Sequence, residues 1–275
     1  MVMSIQSRLL IRSSVLRPLL FLTAAAGILC QPLPAEDRLA DLVGVARKEL
    51  QAAKIPAKEI GVRLRIIENL MTLKAYYPSG SEKPEYRNPD HWTTNGDGSY
   101  IPKGRPTDAV RDLWQTKSGI RCAKLSALVM VKSLIDVADE TRLRELDELL
   151  RDKVIPNELP QKGVGTLFSK PKPAKGEIFH PREFLPGDEI WFDNPYFDLL
   201  DKANKRRYVG QEGHHVFYVG GGRVVDMYSR TPQTLGVFQT TFLRWGSVRI
   251  AAEQEDRKPK ASEFQVKAIR RVILP

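Results

Sequence analysis

Cys122 heads a long apolar run, IRCAKLSALVMVKSLID, and a distant segment, GHHVFYVGGGRVVDMY, carries His214, His215 and Asp226. Acyl transfer through sulfur needs a thiolate, a base that takes and returns the proton, and a group that orients the base. A cysteine opening a buried helix, a histidine on a strand and an acid on the next strand supply one of each. The N-terminal end of a helix also favours an anion, which suits a nucleophile at that position. The competing reading of Cys122 is an inert buried thiol, since free cysteines are among the most buried residues.

Strand side chains alternate faces, so the parity of the turn decides which histidine meets the acid. His214, Val216 and Tyr218 share one face, and His215, Phe217 and Val219 share the other. An odd loop at Gly220-Gly221-Gly222 pairs Val216 with Asp226 and brings His214 diagonal to the acid. A two-residue loop brings His215 there instead. Three glycines and room for a bulge favour the odd loop and His214. Glu212 is the alternative carboxylate, and Asp188 is expected to stabilise its own turn. Trp191 and Trp92 are weak candidates for a substrate groove. His91 and His180 lack partner spacing. The four histidines do not make a metal-ligand pattern with Cys122, and no cofactor motif is present.

These residues must be positioned by the elements around them. In a chain of 275 residues with net charge +10, residues 1–35 read as an export signal. Arg8, Arg12 and Arg17 form a basic start, and residues 19–29 form an apolar stretch too short to span a bilayer comfortably. Pro32, Pro34 and Ala35 then break the run. Cys30 follows bulky Leu29, where a lipoprotein signal wants a small residue. Retention of the segment as an anchor stays open beside cleavage. Cleavage removes the three arginines and no acid, leaving +7 and a single cysteine, so no internal disulfide can form. The expected location is the periplasm, the cell envelope or outside the cell. The positive balance suits anionic partners, but there is no nucleic-acid-reading motif.

Helical periods run over 37–54 and 57–77. Residues 78–104 are rich in turn formers, with a short hairpin between Trp92 and Ile101 around Asn95-Gly96-Asp97-Gly98. Thr107-Asp108 opens a helix through Trp114. Residues 121–136 are apolar nearly all round and therefore central, and 136–153 is a charged amphipathic helix. Residues 156–183 read as surface loop, Pro186-Gly187-Asp188 as a turn into a strand at 189–193. Further strands are expected at 214–219, 223–228, 246–251 and 266–273. The basic KANKRR (202–207) and EDRKPK (255–260) read as solvated loops.

The set RPTDAVRDLW, then Cys122 on its apolar helix, then FLPGDEIWFDNPYFD, then GQEG before a strand, resembles the bacterial spore-coat-type protein-glutamine gamma-glutamyltransferase (transglutaminase) family over residues 86 to 230. The resemblance implies a papain-like fold related to the NlpC/P60 cysteine peptidases. It also implies a thioester between cysteine and a glutamine side chain, release of ammonia and transfer to lysine. Cys122 matches the family nucleophile. Arg121 stands where the family carries a glutamate, His214 where it carries the cysteine's partner glutamate, and Met227 where it carries a histidine. The NlpC/P60 peptidases resemble the chain differently. They place a histidine at the start of an HVGIYVG-like strand and a polar residue twelve positions later, as His214 and Asp226 stand here. Their Asp-Cys-Ser-Gly signature is absent, since this chain reads Arg121-Cys122-Ala123-Lys124.

The expected fold is therefore α+β, a papain-like (NlpC/P60-type) domain over 86–275, with the nucleophile helix packed on an antiparallel sheet and a helical segment over 36–85. The expected function is an exported cysteine acyltransferase using Cys122, His214 and Asp226, with His215 and Glu212 as alternates. Its partners would be protein glutamine and lysine side chains or cell-wall peptide, without nucleic acid. The alternatives are a wall peptidase or amidase of NlpC/P60 type, and a binding or matrix protein on a degenerate catalytic scaffold.

Overall fold

A computed structural model of the chain describes residues 35–74, 88–94, 100–115, 119–120, 122–151 and 168–272. Residues 1–34 of the expected export signal, Arg121, the loop tip at 95–99 and the 152–167 stretch lie outside the described residues. All those described belong to one compact unit beginning at Pro34.

The centre is the helix whose apolar residues run round its whole circumference. It forms as α4, Cys122–Val137, and Leu125, Leu128, Val129, Met130 and Val131 are fully buried. A helix without a polar face must be covered on all sides. The helices α1 (Ala35–Ala52) and α2 (Ala57–Thr72) supply one cover, and Leu42, Ala46, Leu50, Ile66, Ile67 and Leu70 share one core with α4. The short helix α3 (Pro106–Asp112) and α5 (Glu140–Leu150) pack beside it. The hairpin β1 (Trp92–Thr94) and β2 (Tyr100–Pro102) pairs antiparallel as expected.

The other side of α4 is a sheet of β3 (Phe168–Ser169), β4 (Glu189–Asp193), β5 (Gly213–Gly220), β6 (Arg223–Val225), β7 (Gln233–Thr234) and β8 (Val266–Val272). Its order is β3-β8-β4-β5-β6-β7 and its pairs are antiparallel. This bears out the α+β class. Phe217, Val219 and Val225 face the α4 core. Val216, Tyr218 and Val224 face a second core built with Phe238, Phe242 and Phe264.

Two expectations are corrected here. Residues 246–251 do not form a strand: α9 spans Gly246–Gln254, and Val248, Ala251 and Ala252 are its buried stripe. The spacing of three and four becomes visible only when the window extends past Ile250. KANKRR is the helix α7 (Lys202–Arg207), started by the Asp201 side chain accepting from Asn204 N–H. A side-chain cap of that kind satisfies a donor the helix leaves open. The remaining helices are α6 (Pro195–Asp198) and α8 (Leu235–Phe242).

Two ties hold the helical layer to the sheet. Asp188 is fully buried and does more than close its turn. It accepts from Arg63 Nη1 at 2.9 Å, from Arg271 Nε at 2.9 Å and Nη2 at 2.6 Å, and from Leu185 N–H at 2.8 Å. A buried charge persists only when paired in this way. At the far end of β5, Glu49 of α1 accepts from the Tyr218 hydroxyl at 2.9 Å and from Gly221 N–H at 3.0 Å.

Candidate active site

Cys122 is the first residue of α4, half-buried, with a free thiol. His214 is the second residue of β5, and the Cys122 thiol lies near enough to its ring to raise its pKa. The helix covers the face of Phe217 and Val219, whereas His214 has the parity of Val216 and Tyr218. The two side chains meet at the sheet's end, where helix and strand both begin.

Asp226 follows β6 directly. His214 Nε2 lies 3.0 Å from Asp226 Oδ1, which leaves Nδ1 for the sulfur. The carboxylate also accepts from Ser229 N–H at 3.0 Å and Tyr228 N–H at 3.3 Å. The hairpin reaches this arrangement by its own route. Gly220 pairs with Arg223, so the turn proper is the two residues Gly221 and Gly222, at φ 62° and 69°. Glycine reaches such angles without steric cost. The register then shifts between Tyr218 and Gly220, and Phe217 pairs with Val225. The bulge restores the odd parity that a two-residue turn alone would have removed.

Burial works against a charged imidazole. Here the Asp226 hydrogen bond and the Cys122 contact outweigh it and raise His214 to about 9. For Asp226, burial opposes the carboxylate, and the His214 contact with the two backbone donors keeps its pKa below the usual value. Both side chains are about one-sixth exposed, 15% and 17%. The His214 ring is flanked by Phe238, Trp245 and Tyr228 at centroid distances of 5.9, 6.1 and 6.4 Å.

His215 points to the opposite face and has a different partner. Its Nδ1 lies 2.7 Å from Glu189 Oε1, an ion-pair distance but off the line of a hydrogen bond. Glu189 is 2% exposed and also takes Ser126 Oγ at 2.5 Å and Arg270 Nη1 at 3.0 Å. Burial alone would neutralise it; His215, Arg270 and Ser126 hold it below the usual carboxylate range. Ser126 sits one helical turn past Cys122, so this cluster anchors the first turn of α4 to the sheet. Sequence reading missed Glu189, Ser126 and Arg270.

Of the remaining candidates, Glu212 accepts from Gly210 N–H at 2.8 Å within its own loop. Trp191 lies against His215 with ring centroids 4.5 Å apart. It crosses Gly213 so closely that a Cβ there would sit 2.2 Å from both its Cζ2 and the Phe192 carbonyl oxygen. Trp92 lines no groove: it is 4% exposed and part of the α4 core. Among the described residues no cluster of three His, Cys, Asp or Glu side chains could hold a metal, and no helix is long and apolar enough to cross a membrane.

Residues 53–224 match the family model described as protein-glutamine gamma-glutamyltransferase. The chain belongs to that family. The matched stretch takes in α2, Cys122 and His214 and stops two residues before Asp226. A protein-glutamine gamma-glutamyltransferase of Halalkalibacterium halodurans is 24% identical over 144 residues, covering 50% of this chain and 46% of the relative. The chain thus aligns with less than half of that relative's length. No solved structure matches.

Proposed function

We propose that the chain is an exported cysteine acyltransferase that joins glutamine side chains to primary amines through a thioester on Cys122. Family membership supports the reaction class. The observation that carries the mechanism is the chain of contacts from Cys122 to His214 and from His214 Nε2 to Asp226. A thiol at a helix start and an imidazole on a strand support reading the arrangement as papain-like.

In the first half-reaction the Cys122 sulfur attacks the carboxamide carbon of a glutamine. A C–S bond forms and the C–N bond breaks. His214, held protonated by its two neighbours, gives its proton to the departing nitrogen, which leaves as ammonia. In the second half-reaction a lysine amine attacks the thioester carbonyl. His214 takes the amine proton, the isopeptide bond forms and the C–S bond breaks. Asp226 keeps the ring oriented and offsets its charge.

Water in place of the amine gives glutamate and makes the same site a hydrolase. The specific feature favouring this second reading is the carboxylate just past the strand after the histidine, twelve residues on, which resembles the NlpC/P60 peptidases. The test is incubation with a glutamine-containing protein plus a fluorescent primary amine, and separately with peptidoglycan. Amine incorporation lost in Cys122→Ala supports the transferase. Release of wall peptides without incorporation transfers the assignment to the peptidase. Neither product, with an unreactive thiol, leaves the binding-protein reading.

A further inference from the structure

We propose that Tyr228 is a positioning residue that locks the segment leading into Cys122 to the turn that holds Asp226. Its hydroxyl donates to the Ile120 carbonyl at 2.7 Å, across 108 residues of sequence. Its own N–H donates to Asp226 Oδ1 at 3.3 Å, and its ring lies 6.4 Å from that of His214. One residue therefore bonds both the acid of the Cys122–His214–Asp226 array and the backbone two residues before its thiol.

The Ile120 carbonyl needs such a partner. The carbonyl lies just ahead of the described span of α4, Cys122–Val137. Ile120 is also 2% exposed, so bulk water does not reach it freely. A buried carbonyl is stabilised by pairing, and the phenol supplies a donor to this one. Fixing that carbonyl fixes the backbone two residues before the sulfur. A reacting atom displaced by a fraction of an ångström loses rate without losing affinity. Tyr228 touches neither the sulfur nor the substrate, so it acts through the residues it holds.

The inference rests on Cys122 being the nucleophile, and the test separates the two. Wild type and Tyr228→Phe, as full chains, are compared by the iodoacetamide alkylation rate of the Cys122 peptide, read by mass spectrometry, and by kcat and KM for amine incorporation. Phenylalanine keeps the ring and removes only the donor. Alkylation and kcat are expected to fall together by about fivefold, the size of one lost hydrogen bond. KM should stay within about twofold, because substrate binding is untouched. Alkylation at the wild-type rate overturns the proposal. So does a fall in kcat explained wholly by a smaller folded fraction, measured by circular dichroism. If wild type alkylates but incorporates no amine, the transferase reading fails, and the alkylation rates still decide the role of Tyr228.

Discussion

His214 and His215 are neighbours of the same type, each paired with a carboxylate, and they sit in opposite surroundings. His214 meets a partly exposed acid at the hairpin's end and a free thiol. His215 meets a fully buried acid already held by Arg270 and Ser126. Strand alternation alone separates them. The partner's surroundings then set the task. A buried carboxylate paired with a guanidinium is a structural anchor, whereas a partly exposed one whose ring partner has a thiol beyond it can support proton transfer.

The largest effect should come from His214→Ala. Amine incorporation is expected to fall by about a thousandfold or more, with the unfolding midpoint near that of wild type. A comparable loss in His215→Ala, without unfolding, would reverse the assignment of the two histidines. Next, Asp226→Asn should lower incorporation about a hundredfold, since an amide can hold the ring but offsets its charge poorly. If that variant is silent and Glu212→Gln is not, the orienting carboxylate has been misidentified.

The other half of the contrast predicts a loss of stability. Glu189→Gln should cost roughly 2–3 kcal/mol in urea unfolding, because the partly covered Arg270 loses its counter-charge. The folded fraction should retain amine incorporation. An active-site-like loss of activity at full stability would show that Glu189 takes part in the chemistry.

The smallest effect is a pH dependence. His214 is raised from 6.5 to about 9 in the folded protein. A raised pKa contributes stability that is fully present below the unfolded value and is lost as pH rises through the folded one. Stability owed to His214 should therefore decline between about pH 6.5 and 9. In Asp226→Asn the decline should be smaller and should finish at lower pH. Matching urea midpoints for the two proteins across that range would separate His214 from Asp226.

Much of the site was readable because its signals are local. The apolar circumference of 122–137 marks a central helix, and alternation along 213–220 separates the two histidines. The hairpin parity was right in outcome for a reason only half foreseen: the turn is two residues long, and the bulge before Gly220 supplies the odd residue. What escaped notice has no local period. Arg63 reaches Asp188 across 125 residues, Ser126 reaches Glu189 across 63 and Tyr228 reaches Ile120 across 108. Such pairings leave no spacing in the chain. The misread helix at 246–254 had the reverse problem, since a six-residue window there admits either period.

Glu49 makes the hairpin depend on the first helix of the unit. The same carboxylate holds Tyr218 and Gly221, on both sides of the bulge that sets the parity of Asp226. Proteolytic trimming past residue 49 would release both contacts at once and relax the register on which the His214–Asp226 pair relies. Trimming that stops before α1 would spare them. If the N-terminal segment is removed, the cut has a permitted zone and a forbidden one, since a misplaced one loosens the His214–Asp226 pair without altering a residue near it.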